Sequence, residues 1–254
     1  MSERPARDVL VLDVGNSRLK WGLRGARGWV ALGAIDNQEI ASLGLRAWQA
    51  LERPARVIGV NVAGEAARMR VEGQLARWRL PVEWQHPSAH AGGVANGYRD
   101  PRQLGADRWA ALVAARRREL ARSDARSAVV VGAGTAVTID ALDADGRFRG
   151  GVIVPGSQLM LESLAGRTAA LRATRGRYED FPTTTADALT SGAILAICGA
   201  VERLRTRLRV ADAQVTCYLA GGGASEIEAH LEAPVERVDH LVLEGVLVLA
   251  SQSR

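Results

Sequence analysis

The chain has 254 residues, of which 47% are hydrophobic and 24% charged, and its formal net charge is +5. That composition is globular, too apolar for a disordered chain, and long enough for one large or two small domains with a buried core. No apolar run approaches the roughly 20 residues that span a bilayer. The longest, Ala193 to Val201 and Leu241 to Ala250, are too short, and the second carries Glu244.

The opening Met-Ser-Glu-Arg-Pro has no apolar signal core, so a cytoplasmic protein without a membrane partner is expected. Cys198 and Cys217 form no CxxC pair and have no histidine at a metal-ligand spacing, so both read as buried thiols in a reducing compartment. The basic residues are spread along the chain. Their one tight run, Arg116-Arg117-Arg118, falls on a predicted helix and reads as a solvated face rather than a nucleic-acid patch. Lys20 is the single lysine among 33 basic residues. Lysine offers a compact, mobile point charge that the planar fork of arginine does not reproduce, which directs attention to its neighbours.

Residues 8–14 read as a buried strand with an acid near its end, followed by a Gly15-Asn16-Ser17 turn. Residues 18–23 and 29–34 continue as strands of an antiparallel meander. A helix is predicted over 37–51, a strand over 56–61, a helix over 64–79 and a short strand over 82–86. The Gly, Asn and Pro-rich stretch 87–104 is long enough to be a functional loop. A helix from 106 to 122 follows.

A second buried strand, 127–131, ends in Gly132-Ala133-Gly134-Thr135. Strands over 137–142 and 148–154 come next, then a helix over 157–165 entered through Pro155-Gly156. Residues 166–185 are polar and irregular. A helix over 186–209, a strand over 215–220, a Gly221-Gly222-Gly223 turn and a helix over 239–251 complete the chain. Each half opens with a buried strand, a tight Gly-containing turn and two more strands. The repeat of about 120 residues is too long for a solenoid unit. It predicts two similar α/β lobes with mixed sheets, residues 1–124 and 125–254, and a cleft between them.

Four constellations carry candidate chemistry. In Asp13-Val14-Gly15-Asn16-Ser17-Arg18-Leu19-Lys20, an acid at a strand end can hold Mg²⁺, usually through water. Gly15 admits backbone N–H groups to phosphate oxygens, Asn16 and Ser17 add donors, and Lys20 can reach the phosphates. A plain hairpin is the alternative, since Asx-Gly turns are common. Gly132 to Asp140 is a second glycine turn with hydroxyls. It is no GxGxxG fingerprint, because Val137 stands where the third glycine belongs, and the chain has no Walker A sequence. Gly221-Gly222-Gly223 follows a strand and precedes a helix, a geometry that suits backbone contact with a nucleotide. Gly105-Ala106-Asp107-Arg108 stands at a helix start. There Asp107 is either a simple dipole-favoured acid or a base for a hydroxyl proton, with Arg108 beside it for an anionic group.

In order, Asp-x-Gly-Asn-Ser-x-x-Lys at 13–20, Tyr98 with Gly-Ala-Asp-Arg at 105–108, Gly-Thr-Ala-x-Thr-x-Asp at 134–140 and Gly-Gly-x-Ile-x-Pro-Gly at 150–156 closely resemble the type III pantothenate kinases. The segment from Thr185 to Gly192 and Leu243-Glu244-Gly245 fit as well, so the resemblance runs essentially the full length. It implies two ribonuclease-H-like lobes of the actin-like ATPase kind. It also implies phosphorylation of the primary alcohol of pantothenate by ATP with Mg²⁺, the first step towards coenzyme A. Residues 13–20 and Thr135 would bind ATP, with Asp13 organising Mg²⁺. Asp107 would be the general base, Arg108, Tyr98, Gly105 and Ala106 would form the pantothenate site, and Thr185 would contact that substrate.

A homodimer is implied too. Many members carry an Asp two residues before Gly-Thr-Ala that binds K⁺ or NH₄⁺. That position is Gly132 here, so no monovalent-cation site is carried over. A sugar or acetate kinase of the same superfamily would share the phosphate turns but is not expected to combine Tyr98 with Gly-Ala-Asp-Arg. An accessory regulatory protein that had lost activity should lack a chemical group, yet Asp13, Lys20, Asp107 and Thr135 are all present.

Overall fold

A computed structural model describes residues 8–41, 44–165 and 175–252. In chain order the first elements are β1 (Val9–Val14), β2 (Arg18–Gly25), β3 (Gly28–Asp36), α1 (Gly44–Gln49), β4 (Arg56–Asn61), α2 (Glu65–Leu75) and β5 (Val82–Trp84). Next are β6 (His90–Ala91), β7 (Val94–Ala95) and α3 (Ala106–Leu120). The remainder is β8 (Ser127–Ala133), β9 (Ala136–Leu142), β10 (Phe148–Pro155), α4 (Ser157–Ala165), α5 (Thr185–Leu208), β11 (Val215–Ala220), α6 (Ala224–Ile227), β12 (Val235–Arg237) and α7 (Leu241–Gln252).

Two mixed five-stranded sheets result, ordered β3-β2-β1-β4-β5 and β10-β9-β8-β11-β12. In both, the opening meander is antiparallel and the last two pairings are parallel. The chain divides into two compact units. The first holds residues 1–92, 99–114 and 241–254, and the second holds 93–98 and 115–240.

In the first unit β1 is central and flanked on both sides, which explains its unbroken apolar sequence. Leu10, Leu12 and Val14 face one side, where Leu19, Trp21, Ala67, Val71 and Trp48 complete a core. The edge strand β3 alternates between half-buried and exposed positions, as a one-sided strand should. On the other face α7 packs against β1 and β4. A side chain at Gly245 would overlap the carbonyl of Ala110, so α7 and α3 approach backbone to backbone. This helix therefore belongs with the first unit, whereas the sequence division at residue 124 grouped it with the second half.

In the second unit Val129, Val131 and Ile139 pack under Ile194, Ile197 and Val201 of α5. At 24 residues α5 is long and apolar enough, by length and composition, to cross a membrane, which the run-based reading of the sequence missed. Its buried face lies on β8 and β9, so its apolar content is accounted for as the core helix of a sheet. Cys198 and Cys217 sit in that core, and burial pushes their thiols up to about 11 and about 12.

Several boundaries differ from the sequence expectation. The helix expected over 37–51 is a 3₁₀ turn at Asn37–Glu39 and the short α1, with residues 42 and 43 outside the described set. The loop 87–104 carries β6, β7 and a 3₁₀ turn at Pro101–Gln103, where Pro101 fits the first helical position. Of the irregular stretch 166–185, residues 166–174 lie outside the described residues. The three-residue β12 was not anticipated, because it is too short to show a period.

Candidate active site

The first unit gathers the charged groups. Asp13 is the last but one residue of β1, and its register partner on β2 is Lys20. Directly opposed residues of an antiparallel pair share a face, so the carboxylate and the ammonium stand together on the side away from the Leu10–Leu12–Val14 core. Asp13 is 7% exposed. Burial pushes its pKa up to about 7, Lys20 pulls it down and the charge of Asp107 pushes it up again. Asp13, Lys20 and Asp107 thus belong to one electrostatic cluster.

Val14 and Leu19 are fully buried in the apolar core, so only their backbone can serve a ligand. Gly15, Asn16, Ser17 and Arg18 form the turn between them, and Gly15 N–H donates to the Arg18 carbonyl at 3.1 Å. The Asn16, Ser17 and Arg18 side chains are exposed. Arg18 is within 3.3 Å of Asp36, a surface pair.

Asn37, which the sequence did not single out, reaches back to this turn. Its side-chain amide donates to the carbonyls of Gly15 at 2.6 Å and Asn16 at 2.9 Å. It lies 20 residues or more from its partners, and no local pattern marks it.

Asp107 occupies the first turn of α3, where a carboxylate is favoured by the helix dipole. Its Oδ1 accepts the Arg108 N–H at 2.8 Å. A side chain at Gly105 would stand 2.6 Å from that same oxygen, which gives this glycine a local reason. Ala106 and Arg108 are buried, Arg108 being 6% exposed. Such burial of a guanidinium requires polar partners, and Arg108 has interactions of that kind.

The second unit holds the other predicted residues. Gly132 ends the buried run of β8, and Thr135 is exposed in the tight turn into β9. The turn is fixed from two sides. Gly156 N–H donates to the Thr135 carbonyl at 2.8 Å, and Gly223 N–H donates to the Ala133 carbonyl at 3.0 Å. Gly221 has φ +105°, and a side chain there would overlap the Ala133 backbone, so the glycine triplet is set by this close approach. Asp140, further along β9, is 1% exposed.

Glu226 of α6 accepts from the Ser157 hydroxyl and from Arg175, both at 2.6 Å. It thereby ties the start of α4 to the segment before α5, and sequence spacing gave no sign of it.

Tyr98 is half-buried with its ring 5.3 Å from that of Phe148. Thr185 is exposed in the first turn of α5. That helix is capped by Thr184, whose side chain accepts the Asp187 N–H at 3.2 Å. Asp187 also accepts the Thr184 hydroxyl at 2.6 Å and the Arg177 N–H at 2.8 Å, which hold its carboxyl below the usual range.

Among the described residues no three His, Cys, Asp or Glu side chains form a metal cluster. The donor set that fits a hard cation is the Asp13 carboxylate, whose negative charge is disfavoured by burial and would be offset by a bound divalent ion.

Comparison with known proteins agrees with the sequence resemblance. The model of the family described as "Type III pantothenate kinase" matches residues 9–207. Proteins named "Type III pantothenate kinase" from Acidovorax ebreus and Methylibium petroleiphilum are 44% and 45% identical to this chain. Each alignment covers 96% of this chain, and 96% and 98% of the respective relative. Among solved structures, a putative Baf family transcriptional activator from Campylobacter jejuni superimposes with a TM-score of 0.60 at 20% identity, over 96% of this chain and 98% of that one. MreB5 of Spiroplasma citri bound to AMPPNP gives a TM-score of 0.51 at 12% identity, over 97% of each chain. These structural likenesses establish the actin-like ATPase fold.

Proposed function

The chain belongs to the type III pantothenate kinase family, and from that premise we infer that it catalyses ATP-dependent phosphorylation of pantothenate to 4'-phosphopantothenate, the first step of coenzyme A biosynthesis. One structural observation supports this most directly. Asp13, a cation organiser in this reading, feels the charges of both Lys20, a phosphate cation, and Asp107, a candidate base, in one unit.

Phosphoryl transfer needs mainly positioning and charge neutralisation. In this reading the Gly15–Ser17 turn and Lys20 hold the phosphates of ATP, and the Thr135 turn makes a further phosphate contact. Asp13 would hold Mg²⁺, which when bound supplies neutralisation of the triphosphate. Asp107 orients the primary hydroxyl of pantothenate and accepts its proton late in the transfer. Arg108 binds the substrate's carboxylate, for which a guanidinium fork is matched. Tyr98, Gly105, Ala106 and Thr185 line or contact the same substrate.

The two units then divide the labour: the first, residues 1–92, 99–114 and 241–254, carries the phosphate loop with Asp107 and Arg108, and the second, 93–98 and 115–240, carries Tyr98, the Thr135 turn and Thr185. We assign the enzyme to the cytoplasm as a homodimer without nucleic-acid or membrane partners. Gly132 offers no side-chain ligand, so we propose activity without a requirement for K⁺ or NH₄⁺.

The test is a coupled ADP-release assay with ATP, Mg²⁺ and pantothenate, with and without K⁺ or NH₄⁺. Pantothenate-dependent release, unchanged by the monovalent cation, is expected. Folded protein that releases no ADP with pantothenate under any cation overturns the assignment.

A further inference from the structure

We propose that Asn37 is a positioning residue for the phosphate loop, one that turns the backbone N–H groups of Asn16 and Ser17 towards the bound nucleotide. The proposal deepens the kinase reading and rests on the assignment of residues 13–20 to the phosphates of ATP.

Both partners of the Asn37 amide are carbonyl oxygens, those of Gly15 and Asn16. Only the amide nitrogen can face two acceptors, so the orientation of the side chain is fixed chemically. In a planar trans peptide the C=O of one residue and the N–H of the next point in opposite directions. Drawing the Gly15 and Asn16 carbonyls towards Asn37 therefore directs the N–H groups of Asn16 and Ser17 away from it. Successive N–H groups presented on one side of a turn form an anion-binding concavity. The backbone of Asn37 adds a third tie, its N–H donating to the Ser17 carbonyl at 2.9 Å as the β2–β3 ladder runs out.

The position is poorly explained by stability alone. Asn37 is only 8% exposed, and its Oδ1 is buried without a hydrogen-bond partner among the described residues. A buried acceptor left unmade is a cost, which an apolar side chain of the same shape would avoid. What asparagine provides there is its two donors, and both go to the turn.

The experiment follows from that contrast. Asn37→Leu keeps the shape, removes both donors and removes the unpartnered oxygen. Asn37→Asp keeps the shape and replaces the donors with acceptors. For the full chain, Mg·ATP affinity, KM for ATP, KM for pantothenate and thermal midpoint are measured. In Asn37→Leu the loss of two turn contacts raises the Mg·ATP Kd and the KM for ATP by about tenfold or more and leaves the KM for pantothenate unchanged, while the melting temperature falls by a few degrees at most, because removal of the unpartnered oxygen offsets part of the cost of the two freed carbonyls. Asn37→Asp shows the same split, with the larger rise in KM for ATP.

An Asn37→Leu variant with unaltered ATP affinity overturns the proposal. So does one that melts lower while both KM values rise together, because that pattern is a general loosening of the fold. Mg·ATP affinity is read without any acceptor. A chain that binds ATP through an Asn37-dependent turn yet releases no ADP with pantothenate therefore removes the acceptor assignment and keeps the positioning role.

Discussion

In the first sheet Asp13 stands across from Lys20, and at the corresponding register of the second sheet Gly132 stands across from Thr138. One residue nearer the turn, the pairs are Val14 with Leu19 and Ala133 with Val137, buried in both cases. The two turns thus share a scaffold, and the apolar pair beneath each anchors it. They differ in the side chains one step further from the turn. The first carries a carboxylate and an ammonium at that step, while the second carries a glycine and the neutral Thr138 hydroxyl. A repeated architecture holds its core positions and varies its chemistry at one register step.

The contrast predicts unequal sensitivity. Asp107→Asn, which removes the proposed base in the charged unit, lowers kcat by roughly 10²–10⁴-fold while leaving Mg·ATP affinity nearly unchanged, as steady-state kinetics and equilibrium binding would show. Unchanged turnover removes Asp107 from the mechanism. Lys20→Met lowers kcat/KM for ATP by roughly 10²-fold, on the scale of a lost charge-stabilising donor. Thr138→Val at the equivalent position costs less than about tenfold, since it removes a single neutral hydroxyl. Equal losses at the two positions erase the proposed difference between the turns.

A third prediction concerns pH. The Asp13 pKa is raised in the folded state from 3.8 to about 7, so the folded chain holds that proton more tightly than the unfolded one. The stabilisation is fully present below about 3.8 and is lost as pH rises through about 7. In the absence of divalent cation, Asp13→Asn should flatten the rise in melting temperature on acidification between about pH 7 and about pH 4. Parallel curves for the two proteins contradict the burial account.

The smallest effect expected is at Gly132. An added Cβ would stand 2.8 Å from the Thr138 hydroxyl, a side-chain atom that can rotate away. Gly132→Ala should change the thermal midpoint by a few degrees at most, near the scale of about 1 kcal/mol. A large loss would mean that the turn tolerates no side chain at all.

Much of this was legible because strands that are buried on both faces leave unbroken apolar runs. β1, β4, β8 and β11 all read directly from the sequence, and the turns after β1 and β8 announced themselves through glycine and hydroxyl residues. The octet placed Asp13 and Lys20 around one turn, and their direct opposition came from the register of the hairpin. Asn37 and Glu226 could not be placed, because their partners lie far along the chain and side-chain hydrogen bonds leave no periodic trace. The helical expectation across 37–51 failed at its start for the same reason, as Asn37 is drawn to the turn while the backbone makes a single 3₁₀ turn. The placement of α7 was hidden as well. Its apolar sequence says that it is buried, and its contacts with β1, β4 and Ala110 of α3 say where.

That placement has a consequence for how the chain comes off the ribosome. The second unit draws on residues 93–98 and 115–240, all of which are made before α7. The first unit begins earlier and finishes later, since α7, which packs against β1 and β4, is made only when residues 241–252 arrive. Vectorial synthesis therefore leaves the oldest sheet without its last packing partner until the youngest helix is made. Nascent chains halted at residue 240 should show a protease-resistant second unit and a first unit still open to cleavage.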